Sequence, residues 1–304
     1  AVSKSFVIWA ERYLQNKHFG KHQECNTRCL IDKVTRFEDE HKHPMNIDSM
    51  TADDLRVFAD FLSSDYDISM NTIVTNMTLM RTVCNWVRKQ GVTNNDPFFG
   101  YDMPKALYGT PYFLTIQERD QVLDADLTDD AELAEYRDMF VFQCMVGCRH
   151  SDLVTFTPKN IIDGVLEYIP IKTKGKLGDV VRVPLIPKAM AILDGHDHGD
   201  DEPIFPKHYN FKFNDAIRRI LKRAKVNRVV TVINPKTRLE EKKPISDVAT
   251  SHLARRTFIG NLYRMVKDPD LVASMSGHAK GSVAFARYRV IDDDMKKSLV
   301  ELIQ

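Results

Sequence analysis

Apolar positions in the first hundred residues recur every three or four places, which predicts helices. Ser5 to Lys17 carries Phe6, Trp9, Ala10, Tyr13 and Leu14 at that spacing, and Asn26 to Glu40 carries Leu30, Ile31, Val34 and Phe37. Thr51-Ala-Asp-Asp54 reads as a helix start, a hydroxyl cap followed by early acids, opening a helix through Leu55, Phe58 and Leu62. Ser69 to Lys89 follows with Ile73, Met77, Met80, Cys84 and Val87 on one face. Gly91 suits its C-terminal cap, and Asn95-Asp96-Pro97 is a turn that no helix continues through. Four helices with short connections predict a compact bundle, with the Met and aromatic stripes as its core.

Residues 100–112, with Gly100, Pro104, Gly109 and Pro111, form a connector, and the domain boundary is expected there: 1–104 and 105–304. Beyond it the pattern changes. Thr115 to Asp124 and Glu132 to Met145 read as helices. Gly164 to Ile171 and Asp179 to Leu185 read as short strands joined by a Lys- and Gly-rich turn. Ala189 to Leu193, Phe211 to Ala224, Ser251 to Val266 and Asp270 to Met275 read as helices, and Val229 to Leu239 as a second small hairpin. The whole is mainly α with a small antiparallel β-sheet, and no internal repeat is visible.

Composition narrows the class. The chain has 304 residues, 43 Lys+Arg against 42 Asp+Glu, and 43% apolar residues, the profile of a globular protein. No apolar stretch approaches the ~18 residues that would cross a bilayer. The first residues lack a signal-peptide pattern, and five cysteines, an odd number, make no disulfide framework. Reduced thiols and a cytoplasmic location are the expectation. The net charge of +1 conceals a separation. Residues 117–138 hold nine acids against Arg119 and Arg137, and residues 212–243 hold eleven bases against three acids.

Four segments place polar groups where chemistry could use them. Gly147-Cys-Arg149 ends an apolar helix, and Ile171-Lys-Thr-Lys-Gly-Lys176 puts three lysines in a turn. Ser251-His-Leu-Ala-Arg255 sets His252 and Arg255 on one helix face. Ser276-Gly-His278 leads to Ala286-Arg-Tyr288. Each alone is as ordinary as a capping pair, a solvated hairpin or a packed ring. Together they offer guanidinium forks for phosphate oxygens, a phenol as nucleophile, and lysine or histidine to move protons. No Cys/His or carboxylate cluster suited to a metal or cofactor accompanies them; His41-x-His43 and His196-x-His198 lack partner ligands and read as surface loops. The set suits transesterification of a phosphodiester through a phosphotyrosine.

The order and spacing resemble the tyrosine recombinase (phage integrase) family: Met145-Val-Gly-Cys-Arg-His-Ser-Asp-Leu153, the Lys-bearing hairpin ending in Val183-Pro-Leu185, Ser251-His-Leu-Ala-Arg-Arg-Thr-Phe258, Ser276-Gly-His278 and Tyr288. The resemblance covers the whole chain. Residues 1–100, with the Gly91…Asn95-Asp96-Pro97-Phe98 ending, look like the family's core-binding, SAM-like helical bundle, and 110–304 like its catalytic domain of the DNA breaking-rejoining fold. Arg255-Arg-Thr-Phe258 and the long insert Val229–Ser246 look most like integrases of bacterial mobile elements.

The resemblance implies roles. Tyr288 is the nucleophile that forms a 3′-phosphotyrosyl bond. Arg149 and Arg255 clamp the non-bridging oxygens, and His278 is a third partner of the phosphate. His252 shuttles a proton, as candidate base toward the tyrosine. A hairpin lysine protonates the leaving 5′-oxygen: Lys172 by its place at the strand end, with Lys174 open as the alternative. The implied partners are double-stranded DNA, a homo-tetramer on paired sites formed from DNA-free monomers, and accessory DNA-bending proteins, with no membrane. Many mobile-element integrases add an N-terminal arm-binding domain, and these residues begin directly in the core-binding helices, which suits a shortened chain or a simpler member alike. A two-domain clamp on DNA is expected, with the basic segment toward the duplex backbone and the acidic one away from it or toward a neighbouring protomer. The amphipathic tail 289–304 is expected to dock on a neighbour. Two rivals remain: a type IB topoisomerase, and a DNA-binding regulator on an inactive recombinase scaffold.

Overall fold

The computed structural model of the chain describes residues 4–16, 19–173, 180–196, 199–266, 268–278 and Val300. It divides into two compact units, one of residues 1–108 with 233–240, the other of 109–232 with 241–304. Among the described residues no helix is long and apolar enough to cross a membrane.

The first unit is built on α1 (Phe6–Gln15), α2 (Lys21–His41), α3 (Ala52–Ser64) and α4 (Met70–Lys89). Helix α4 packs on the other three, and Tyr13, Val34, Phe37, Leu55, Phe58, Met77, Met80 and Val83 are buried between them. The cap expected at Thr51 is reciprocal: its hydroxyl accepts from the Asp54 amide, and Asp54 accepts from the Thr51 amide at 2.7 Å. Helix α2 begins five residues before the sequence expectation, because its first turn, Lys21-His-Gln-Glu24, carries no apolar residue for periodicity to register. The Asn95 amide donates to the carbonyls of Ile47 (3.1 Å) and Met50 (2.8 Å), so the turn after α4 also fastens the loop before α3. Residues 233–240 belong to this unit. There Lys236 pairs with Asp67, the Pro235 carbonyl accepts from the Met70 amide, and Arg238 donates to the Lys105 carbonyl.

In the second unit α5 (Ile116–Leu123) leads to α6 (Ala131–Val146), buried on nearly every side as a central helix must be. Against α6 pack α5, the one-turn α7 (His150–Leu153), α8 (Pro187–Asp194), α9 (Asn210–Arg223) and α11 (Ser251–Val266). The short α10 (Ile245–Val248) lies on α9, and α12 (Pro269–Ser276) on α11. A three-stranded antiparallel sheet joins β1 (Ile161–Ile162), β2 (Val165–Tyr168) and β3 (Val181–Pro184). In its register Leu166 faces Val183 and Tyr168 faces Val181, all buried, while Glu167 and Arg182 pair on the outer face. Strand β1, absent from the sequence reading, is set by Asp163-Gly164, both at positive φ (51° and 73°), the two-residue turn that matches strand twist. A second hairpin forms from β4 (Val229–Ile233) and β5 (Glu240–Pro244), its returning strand lying beyond the expected bounds of Val229 to Leu239.

The charged segments differ from expectation. The acids of 117–138 do not stand apart from the bases of 212–243; the fold lays one against the other. Arg219 pairs with Asp130 at 2.8 Å, Arg223 with Asp129 at 2.6 Å and Arg228 with Glu118 at 2.9 Å. Partners about ninety residues or more apart in sequence neutralise each other because α6 packs on α9, and α5 bonds through Gln121 to the Ala224 carbonyl at the end of α9.

Candidate active site

Helix α6 ends at Gly147, whose φ of 69° is the left-handed conformation glycine adopts without strain. A Cβ there would also meet the Phe258 ring at 2.2 Å. This tight stop turns the chain so that Arg149 stands immediately before α7, and it aims the Gly147 carbonyl at α11. From α11, Arg255 is 1% exposed and donates through Nη1 to that carbonyl and through Nη2 to the Ser276 carbonyl, both at 2.6 Å. The two arginines are thus fixed to one short stretch of backbone, although 106 positions separate them. The adjacent Arg256 lies over the Tyr112 ring instead, so only Arg255 enters the site.

Arg255 Nη2 also stands 3.1 and 3.2 Å from Nδ1 and Nε2 of His278. Gly277, at φ 65°, caps α12 and swings His278 back over the helix end. The Ser276 hydroxyl lies 2.8 Å from the Val272 carbonyl and 2.8 Å from His278 Nδ1. A carbonyl only accepts, so the hydroxyl proton goes to Val272 and Nδ1–H donates to Ser276 Oγ, leaving the Nε2 lone pair toward Arg255. His278 is held down at about 3 by burial first, then by the charges of Arg255, Arg149, His252 and Lys172. His252, on the same α11 face as Arg255, is held at about 4 by crowding and then by Arg256, Arg255, Arg149 and Lys172. Its residue keeps substantial solvent exposure, so the cations, acting through space in one direction, make the better-founded part of that depression. Both imidazoles are neutral at pH 7.

The structure therefore brings Arg149, Lys172, His252, Arg255 and His278 into one cluster. Tyr288 and Lys174 lie outside the described residues, as does the tail 289–304 apart from Val300. Sequence reasoning missed Asp152, the one fully buried carboxylate among the described residues, 2% exposed. Its Oδ1 accepts the Ile171 amide at 2.9 Å, anchoring the backbone immediately before Lys172, and its Oδ2 has no hydrogen-bond partner among the described residues. The signal was the i, i+3 step from Arg149 inside a run already singled out. Tyr168 lies near the arginines, and its phenol is buried and pushed far up by desolvation, which makes it a poor nucleophile at neutral pH.

Nη1 of Arg149 is buried and has no hydrogen-bond partner among the described residues. Buried donors are almost always satisfied, and an idle guanidinium N–H among surplus cations can receive an oxyanion. Among the described residues no group of three or more His, Cys, Asp or Glu is placed to hold a metal ion. The histidines of the two His-x-His motifs are engaged otherwise: His43 bonds Asp54 at 2.9 Å, His41 stacks on Phe37, and His196 lies 3.5 Å from Asp138. His198 lies outside the described residues.

A helical bundle is followed by a helical unit with a small sheet, which holds a cluster of two arginines, a lysine and two histidines. The sequence model of the phage integrase family matches residues 112–295, and that of the phage integrase SAM-like domain matches 5–103. The chain belongs to the phage integrase family, the tyrosine-type site-specific recombinases. Among solved structures, the integrase of the Tn1549 transposon, in complex with a circular intermediate DNA, is 15% identical, with a TM-score of 0.74 over 99% of this chain and 100% of that one. A lambda integrase dimer bound to a COC′ core site is 14% identical, with a TM-score of 0.69 over 94% of this chain and 95% of that one. At these identities the likeness concerns the fold. No curated protein matches the chain.

Proposed function

We propose that the chain cleaves and rejoins duplex DNA through a 3′-phosphotyrosyl intermediate at Tyr288, moving a mobile element by integration, excision or inversion. The observation that carries this reading is the idle, buried Nη1 of Arg149 beside the anchored guanidinium of Arg255. Residues 1–104 hold the DNA core site and 105–304 carry the chemistry. The scissile phosphate sits between the two arginines, whose charges match the pentavalent transition state. Neutral His252 accepts the phenol proton as Tyr288 attacks. The phosphate's charge lets His278 take a proton at Nε2, which then donates to a non-bridging oxygen while Nδ1–H stays on Ser276. Lys172, on the backbone that Asp152 fastens, protonates the leaving 5′-oxygen. Four protomers act on two sites, and the tail 289–304 passes between neighbours to set which tyrosines are active.

A pool of nicked duplexes with randomised sequence tests this while leaving the target site open. The wild-type protein should become covalently joined to a recurring sequence, and Tyr288→Phe should lose the adduct while DNA binding persists. No adduct from the wild type would leave the regulator on a recombinase scaffold; an adduct without synapsis of two duplexes would leave the topoisomerase. On the recovered site, Lys172→Ala should slow cleavage of ordinary DNA far more than of DNA with a 5′-bridging sulfur, which departs unprotonated. Sulfur rescue of Lys174→Ala and not of Lys172→Ala would reassign the acid.

A further inference from the structure

The two ends of α9 are electrostatically unlike. Along its C-terminal half each base has an acid: Arg218 with Asp215 (3.4 Å), Arg219 with Asp130 (2.8 Å), Lys222 with Asp247 (2.8 Å) and Arg223 with Asp129 (2.6 Å). At the N-terminal end, Lys207 and Lys212 are exposed and form no ion pair among the described residues. Between them stand two bare rings. Tyr209 is 73% exposed and Phe211 68%, with centroids 5.9 Å apart and planes inclined by only 22°. Their neighbours His208 and Phe213 turn inward, each against Tyr136, so the segment is anchored while its outer rings are not covered.

The same end of α9 is fastened to the helix that carries the site. Asn210 Oδ1 accepts from the Ser251 hydroxyl at 3.1 Å, and Asn214 Oδ1 accepts from the Ser251 amide at 2.8 Å. Ser251 immediately precedes His252. Two large exposed rings, with two unneutralised cations, are therefore held on a segment bonded to the residue before His252. Paired bases in a duplex offer only their edges to a protein. An unstacked base offers a whole face, and aromatic rings flanked by cations are what single-stranded nucleic acid binds. Strand exchange supplies such bases, since nucleotides beside a cut must leave one duplex before pairing in another.

We propose that Tyr209 and Phe211 form a stacking platform for an unpaired base beside the scissile phosphate, with Lys207 and Lys212 holding the backbone that leads to it. This rests on the recombinase reading. The probes are two fluorescein-labelled duplexes of equal length and mixed sequence, one fully paired and one with a short unpaired bubble, titrated by anisotropy. The wild type should favour the bubble. The double variant Tyr209→Ala/Phe211→Ala should lose about tenfold in affinity for the bubble, in keeping with base–aromatic stacking. It should change little on the paired duplex and melt at the wild-type temperature, since both rings are exposed. Tyr209→Phe/Phe211→Tyr should keep the preference. Lys207→Gln and Lys212→Gln should each lower the slope of log affinity against log salt on the paired duplex by about 0.9, and Lys222→Gln should not. A double alanine variant that still favours the bubble, or a wild type without the preference, would overturn the platform. The covalent-adduct experiment is separate: an adduct without bubble preference sinks the platform alone, and no adduct sinks the recombinase reading beneath it.

Discussion

Phe58 in the first unit and Arg255 in the second are both buried to the last few per cent, and their surroundings differ in kind. Around Phe58 lie Phe37 and Phe61 at ring separations of 5.4 and 6.3 Å, within a cluster of aliphatic side chains. Around Arg255 lie two backbone carbonyls, an imidazole, and close by a second arginine with an idle Nη1 and a carboxylate with an idle Oδ2. The first arrangement follows from burying apolar surface, worth about 1.5–3 kcal/mol per large side chain. The second runs against it, because each unpaired buried polar group costs roughly 1–3 kcal/mol. A fold that keeps such a centre is shaped by what binds there, and the two regions should respond oppositely to the same kind of substitution.

The sharpest break in that contrast is Arg149→Met set beside Phe58→Ala. On the proposed mechanism, removing the Arg149 guanidinium takes away a transition-state donor, and adduct formation should fall by about 10²–10³-fold or more. Thermal stability should hold or rise, because the methionine fills the space without an unsatisfied donor. Phe58→Ala should cost about 3–5 kcal/mol through the lost burial and the cavity left behind. Its folded fraction should still form the adduct at the wild-type rate. A large drop in melting temperature for Arg149→Met would mean that its guanidinium supports the fold, and the distinction between the regions would fail.

Glycines give a finer version. Gly91 in the first unit and Gly147 in the second share nearly the same backbone, φ of 72° and 69°. A Cβ at Gly91 would meet nothing within 4 Å, so Gly91→Ala should carry only the left-handed strain of about 1–2 kcal/mol. At Gly147 the new methyl would press on Phe258 and shift the carbonyl that holds Arg255, adding roughly 1–3 kcal/mol of overpacking. Gly147→Ala should therefore melt lower than Gly91→Ala and, unlike it, slow adduct formation by folded protein. Equal cleavage rates for the two would show that the Arg255 anchor tolerates movement.

What the sequence made legible follows the same division. The bundle's helices repeat an apolar period over whole turns, and its start at Thr51 and stop at Gly91 are local signals. The residues of the candidate site were legible by type and order: Arg149, then a lysine, then His252 with Arg255, then His278. Their physical state was not. Nothing in the run 145–153 says that Asp152 is buried against the Ile171 amide, or that Arg255 is held by the carbonyls of Gly147 and Ser276, because those contacts join segments 19 to 108 residues apart. The charge segments failed for the same reason: linear clustering shows which side chains are alike, and only the packing of α6 on α9 shows that they meet. The Tyr209–Phe211 pair left no periodic signature, since both rings point outward at a helix start.

The smallest effect, and the most specific, is a pH dependence that belongs to the second unit. His278 titrates at about 3 and His252 at about 4 in the folded protein, against about 6.5 in an unfolded chain. Between those limits the unfolded chain binds more protons than the native one, so stability rises with pH across the window. Acidification therefore begins to destabilise the protein as pH falls through about 6.5, and continues to do so toward 4 and then 3. His278→Gln removes one of the two groups, so its melting temperature should fall less steeply than the wild type's from pH 7 to pH 4.5, and His252→Gln should act in the same direction. Glu38 in the first unit supplies the control: burial raises its carboxyl, so it takes up protons more readily when folded, and Glu38→Gln should leave the slope between pH 7 and pH 5.5 unflattened. A bound mixed-sequence duplex should reduce the wild-type slope, because phosphate charge beside the imidazoles favours their protonated forms. Parallel curves for the wild type and His278→Gln would show that the cationic cluster does not depress this histidine, and the proton uptake assigned to it on binding phosphate would have no basis.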